Sequence, residues 1–173
     1  MISKRQLLGL GAGSLAAGIG VWVAKNSDYS SLRPAPLWSL KLPMPSGGQL
    51  ALASFRGRPL LINFWAPWCA PCVEEMPLLN HLYTQHAANG FQLLGIAADK
   101  SESVTQFLKR TPLQFPIALA GFEGVALSQS LGNASGGLPY SLLFDTKGAI
   151  LFSKQGALTT NDISTIPKLL NLA

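Results

Sequence analysis

The chain has little charge and few metal-binding or disulfide-forming residues. Only 12% of its 173 residues are charged, and it has two cysteines and two histidines. A structural zinc site normally takes four ligands. No further Cys accompanies the pair, and His81 and His86, five apart, do not share one metal-binding face of a helix, so no metal site is expected. The two cysteines, Cys69 and Cys72, enclose so small a loop that they cannot staple a fold. They are therefore read as reactive. The formal charge of +5 does not mark a basic protein. Four cations (Lys4, Arg5, Lys25 and Arg33) precede Pro34, and the nine Lys/Arg beyond it face seven Asp/Glu. No basic run is interleaved with aromatics, so a nucleic-acid partner is excluded. Neither an internal repeat nor a low-complexity tract is present.

The length fits one domain behind a short leader. Leu7 to Ala24 carries no charge over eighteen residues, five of them glycine, and follows Lys4-Arg5. This pattern fits a membrane span near the lower limit of length, or a secretory signal. Trp22 stands where a cleavage site would need a small residue, which favours an uncleaved anchor. Ser3-Lys4-Arg5-Gln6-Leu7-Leu8 is similar to a twin-arginine export signal with Lys in place of the first Arg. The basic N-terminus predicts a cytoplasmic start, which puts the rest of the chain in an oxidising compartment. Residues 1–25 are thus read as a signal-anchor or signal peptide, 26–36 as a linker, and 37–173 as the folded domain.

Within that domain, Leu37 to Leu42 alternates and predicts a strand. Gln49 to Leu52 returns after a Gly-rich turn as the second strand of a hairpin. Leu60 to Trp65 is apolar except at Asn63, as in a central strand buried on both faces. A helix is predicted from about Cys69 to Asn89, kinked at Pro77. Phe91–Ala98 reads as a strand, Ser101 as the cap of a helix to about Arg110, Phe115–Leu119 as a short strand and Gly124–Leu131 as a short helix. Asn133–Gly137 reads as a flexible loop. Tyr140–Phe144 and Ala149–Lys154 predict a hairpin, and Asn161 or Asp162 opens a last helix to Leu170. Such alternation implies a three-layer α/β/α sandwich around a mixed sheet.

Two residues between cysteines, after a buried strand, place one sulfur at a helix N-terminus and the second one turn behind it. The first thiol is then acidified, and the second can attack a mixed disulfide. The surrounding residues resemble the thioredoxin superfamily, and more narrowly its membrane-anchored TlpA/ResA-type branch. The similarity is carried by Phe55-Arg56-Gly57-Arg58-Pro59, by Asn63-Phe64-Trp65-Ala66-Pro67-Trp68-Cys69-Ala70-Pro71-Cys72, and by Glu75-Met76-Pro77. Gly137-Leu138-Pro139 and Leu143-Phe144-Asp145-Thr146-Lys147-Gly148 extend it. The residues between Ala98 and Ser135 look like that branch's inserted strand and helix.

The resemblance implies that Cys69 is the exposed nucleophile and Cys72 the resolving thiol. It implies a carboxylate that handles their proton. Asn63 occupies the strand position where thioredoxins carry a buried acid, so this role passes to Glu75. If Glu75 faces the interior, burial would raise its pKa. Leu138-Pro139 matches the cis-proline loop that presents backbone to an extended substrate. Trp68 would form an apolar rim there, with Trp65 and Met76 in the core. Pro71 between the cysteines would bias the redox potential, and Pro77 would shape the helix. No cofactor is implied beyond the Cys69–Cys72 disulfide. The implied partners are protein thiols and disulfides, such as apocytochrome c cysteines, and a membrane thiol carrier that supplies electrons to a monomeric, anchored reductase. An oxidase or isomerase is the alternative direction. A peroxiredoxin-like peroxidase would need Thr where Ala66 stands, and a copper-binding module would need a third ligand.

Overall fold

The computed structural model describes residues 35–172. The leader and the linker up to residue 34 lie outside the described residues. No helix among those described is long and apolar enough to cross a membrane. The first element is not the expected strand. Ala35–Ser39 forms a short helix, α1. Leu37 and Trp38 are both buried, whereas neighbours in a strand point to opposite faces. The Trp38 ring meets the edge of Phe144 at 5.5 Å. The expected hairpin survives in shortened form, with β1 (Lys41–Pro43) antiparallel to β2 (Gln49–Ala51). A 3-10 turn over Leu52–Phe55 then leads to the sheet.

Five strands make that sheet: β3 (Leu60–Trp65), β4 (Gln92–Ala97), β5 (Ile117–Leu119), β6 (Tyr140–Phe144) and β7 (Ile150–Gln155), in the order β5-β4-β3-β6-β7. β3, β4 and β5 are parallel, while β6 runs against β3 and β7 against β6. All six residues of β3 are buried, as its apolar run predicts. The parallel crossovers are helices: α2 (Ala70–His86) between β3 and β4, and α3 (Ser101–Arg110) between β4 and β5. Leu61 and Trp65 pack with α2, α3 and α5 (Thr160–Leu169) on one face. Leu60, Ile62 and Phe64 pack with α1, the hairpin and α4 (Glu123–Ser130) on the other. The result is the three-layer sandwich expected, with α3, β5 and α4 filling the stretch between Ala98 and Ser135.

Helix α2 continues through Pro77 and ends where expected, in a 3-10 turn to Asn89 followed by Gly90 (φ 85°) in the left-handed conformation. Other local expectations shift. Ser101 does not cap α3. It is the first helical residue, behind Lys100, whose amide donates to Asp99 Oδ1 at 2.6 Å. Helix α5 opens earlier than Asn161, on a capping box in which Thr159 and Asp162 satisfy each other's backbone amides. Asn133–Gly137 is a pinned loop. Buried Asn133 donates from Nδ2 to Ser128 Oγ and to the Gly137 carbonyl, both at 2.9 Å.

Candidate active site

The parallel half of the sheet ends at the pole where β3 runs out. Trp68 and Cys69 follow β3 there, and Phe122 follows β5. Trp68 and Phe122 are 63% and 65% exposed. The Cys69 amide closes a turn on the Ala66 carbonyl at 3.1 Å. Cys69 is the N-cap residue of α2, in extended conformation, and Pro71 stands in the first turn. A side chain at this position faces the unpaired amides and positive dipole end of a 17-residue helix, which favours a thiolate. Cys69 and Cys72 are joined as a disulfide with Cα atoms 5.3 Å apart. Cys69 keeps 6% of its surface and Cys72 none. The expected order of accessibility holds, but Cys69 is far less exposed than expected. Ala70 and Pro71 are exposed beside it, so the open surface there comes from the residues around the sulfur.

Glu75 lies one turn beyond Cys72 and is 2% exposed. Its Oε1 accepts from Asn63 Nδ2 at 2.8 Å, and its Oε2 accepts from the Leu158 amide at 2.6 Å. Burial raises its pKa above the ordinary 4.5, while the Leu158 amide, the Asn63 amide and the charge of Lys154 pull the other way. Asn63, expected only as a non-ionisable replacement, is the group that holds the acid. Its Nδ2 also donates to Ser141 Oγ at 3.0 Å, and its Oδ1 has no partner. Ser141 pairs with Asn63 across β3–β6, and Lys154 pairs with Ser141 across β6–β7. The three therefore form a polar row on one face of the sheet, beneath α2 and α5. Ser141, Leu158 and Lys154 were not singled out from sequence. The signal for Ser141 was present, since it interrupts the apolar run Tyr140-Ser141-Leu142-Leu143-Phe144 as Asn63 interrupts β3. A backbone amide such as that of Leu158 leaves no mark in a sequence.

The Leu138–Pro139 bond is cis. Tyr140 pairs with Phe64, which puts Pro139 at the same pole as Cys69. The Pro139 carbonyl accepts from the Gly156 amide at 2.8 Å. Neither the amide nor the carbonyl of Leu138 has a backbone partner among the described residues, and the residue is half-buried. Pro77 lies on α2, exposed; it is part of the helix and not of the pole. No group of three or more potential metal ligands occurs among the described residues.

Comparison with known proteins gives the family and the fold. The Redoxin family profile matches residues 33–170. The thiol-disulfide oxidoreductase ResA of Bacillus thuringiensis subsp. konkukian is 31% identical over 118 residues, covering 68% of this chain and 66% of its own length. ResA of Geobacillus kaustophilus is 32% identical over the same coverage. The matched stretch thus spans just under two-thirds of these curated relatives. A crystal structure of a thiol:disulfide interchange protein of the thioredoxin family from Chlorobium tepidum TLS superposes with a TM-score of 0.64. It is 26% identical and covers 76% of this chain and 92% of that one.

Proposed function

Because the chain belongs to the redoxin family and its fold is thioredoxin-like, we propose that it is a thiol–disulfide oxidoreductase, tethered by its N-terminal segment on the periplasmic side of the inner membrane and working there as a reductase. The observation that carries this reading is the Cys69–Cys72 pair at the start of α2 with the buried Glu75 carboxyl one turn behind it. The reduced Cys69 thiolate attacks one sulfur of a substrate disulfide. That bond breaks, a mixed disulfide forms, and the other substrate sulfur leaves as a thiolate. Cys72 gives up its proton and attacks Cys69. The second substrate sulfur is released, and Cys69–Cys72 is left oxidised. Two electrons have passed to the substrate.

Glu75 is the proton carrier for Cys72. A carboxyl whose pKa is raised by burial can both take and return a proton nearer neutral pH than an exposed one. An extended substrate adds as a strand to the backbone of Leu138, against the Trp68 rim. An oxidised product needs an electron source, which a membrane thiol carrier fits; tethering raises the effective concentration of the two partners. Secreted proteins with reducible cysteines, including apocytochrome c, are the substrate class. Redox titration of the pair tests the direction. A reductase requires a potential below roughly −200 mV, and a value near roughly −120 mV makes the protein an oxidant.

A further inference from the structure

The segment joining β7 to α5, residues 156–159, holds two parts of the site through its backbone amides. Its Gly156 amide holds the Pro139 carbonyl, and its Leu158 amide holds Glu75. Gln155, just before it, donates from Nε2 to Ser135 Oγ, which also accepts from the Gly137 amide at 3.1 Å. The ends of the segment are clamped by one carboxylate oxygen. Asp162 Oδ2 accepts from Lys154 Nζ at 2.5 Å, from the Thr159 amide at 2.7 Å and from Thr159 Oγ1 at 2.6 Å. Lys154–Asp162 is the only salt bridge among the described residues, and the two side chains are 27% and 15% exposed. Lys154 ends the polar row that begins at Asn63.

We propose that Lys154 and Asp162 are positioning residues of the dithiol site, together setting the charge beside Glu75 from the far end of the Asn63–Ser141–Lys154 row while clamping the segment that holds it. The proposal rests on the reading of Glu75 as proton carrier. The pair has two effects. It fixes the segment whose amides hold Glu75 and Pro139, and it places a partly neutralised cation near the Glu75 carboxylate. The groups facing Glu75 are Asn63 from β3 with Ser141 of β6 behind it, Lys154 from β7, the Leu158 amide, and Cys72 on its own helix. Glu74 points to solvent, and Asp162 of α5 faces Lys154. Lys154 favours the ionised carboxylate. Asp162 offsets that charge. Removing either partner breaks the same clamp, yet changes the charge near Glu75 in opposite directions.

The test is a pH titration of the Glu75 carboxyl carbon by NMR, in the oxidised full-length protein held in neutral detergent. Its resonance is identified by its loss in Glu75→Gln. Lys154→Met is expected to move the midpoint to higher pH and Asp162→Asn to lower pH. The double variant should fall between them, and Lys154→Arg should stay with the parent. Midpoints that move the same way in both single variants, or do not move, overturn the proposal and leave only a structural clamp. A second readout is the pH profile of Cys69 alkylation in the reduced protein, which should shift in the same order. If the carboxyl midpoints separate as expected but the alkylation profiles coincide, the action on Glu75 stands and the proton-carrier reading fails.

Discussion

The bond from Asn63 to Glu75 should be strong only while the carboxyl is ionised, and a double-mutant cycle can read this. Asn63→Leu removes the amide at nearly constant volume. Glu75→Gln removes the charge at constant shape. The bond measures 2.8 Å and is fully buried, so as a charge-assisted contact it contributes about 1.5–3 kcal/mol. With a neutral carboxyl the same contact contributes about 1 kcal/mol. The cost of the single Asn63→Leu change is less diagnostic. It also frees Ser141 Oγ of a donor, and it removes an unpartnered Oδ1 whose burial costs about 1–3 kcal/mol. The cycle cancels both terms, because they are common to its two arms. Urea unfolding of the four oxidised proteins at two pH values, one above and one below the titration of Glu75, supplies the numbers. Because the Glu75→Gln side chain still offers an amide oxygen to Asn63, the coupling reads the charged bond less the neutral one: about 0.5–2 kcal/mol at the higher pH, falling toward zero at the lower. A coupling under about 0.5 kcal/mol at the higher pH, or one independent of pH, refutes the view that Asn63 holds an ionisable acid.

Other outcomes follow from the same geometry. Because burial holds the folded Glu75 pKa above 4.5, the unfolded chain binds fewer protons between that value and the folded one. Stability should therefore fall as pH rises through this window, and the stability of Glu75→Gln relative to the parent should rise from pH 4 to pH 7 in denaturant titrations, whatever its sign at pH 4. Asp162 is shifted the opposite way: burial opposes ionisation, but the Lys154 and Thr159 bonds and the Lys154 charge outweigh it and lower the pKa below 3.8. Its contribution is present above that value and lost as pH falls through the folded pKa, so Asp162→Ala should cost more at pH 7 than at pH 2. Trp68→Ala, at a 63% exposed position, should change stability by less than about 0.5 kcal/mol while lowering kcat/KM for a protein disulfide several-fold; an unchanged kcat/KM removes Trp68 from the substrate rim. Gly95→Ala puts a Cβ 2.5 Å from Ile117 Cδ1 and 3.1 Å from Trp65 Nε1. It should destabilise the protein by about 1–3 kcal/mol, seen as a lower urea midpoint, without altering the redox potential.

What could be read from the sequence was local and covalent. The apolar run of β3, the spacing of Cys69 and Cys72, and Leu138-Pro139 pointed to the end of the central strand, and the structure has Cys69, Cys72 and Pro139 at that pole. Glu75 was legible because helical spacing ties it to Cys72. Its holders were not. Lys154 lies 79 residues from Glu75 in sequence and comes near it only through the β3–β6–β7 register. Alternation misled at Leu37-Trp38, because a short amphipathic helix can mimic a strand pattern when both residues pack against one aromatic layer. Ser101 looked like a cap by residue type, but the chain enters α3 through Lys100 with the Asp99 carboxylate taking the free amide. At α5 the Thr159–Asp162 box lay two residues before the expected start.

Disulfide exchange at this pair requires Cys69 to attack and Cys72 to resolve. Trapping tests this directly: the reduced Cys72→Ser protein is mixed with a disulfide-bearing protein, and the adduct is identified by mass spectrometry. A stable mixed disulfide through Cys69 should accumulate, and Cys69→Ser should give none. Adducts formed equally through either cysteine, or formed through Cys72 alone, would contradict it.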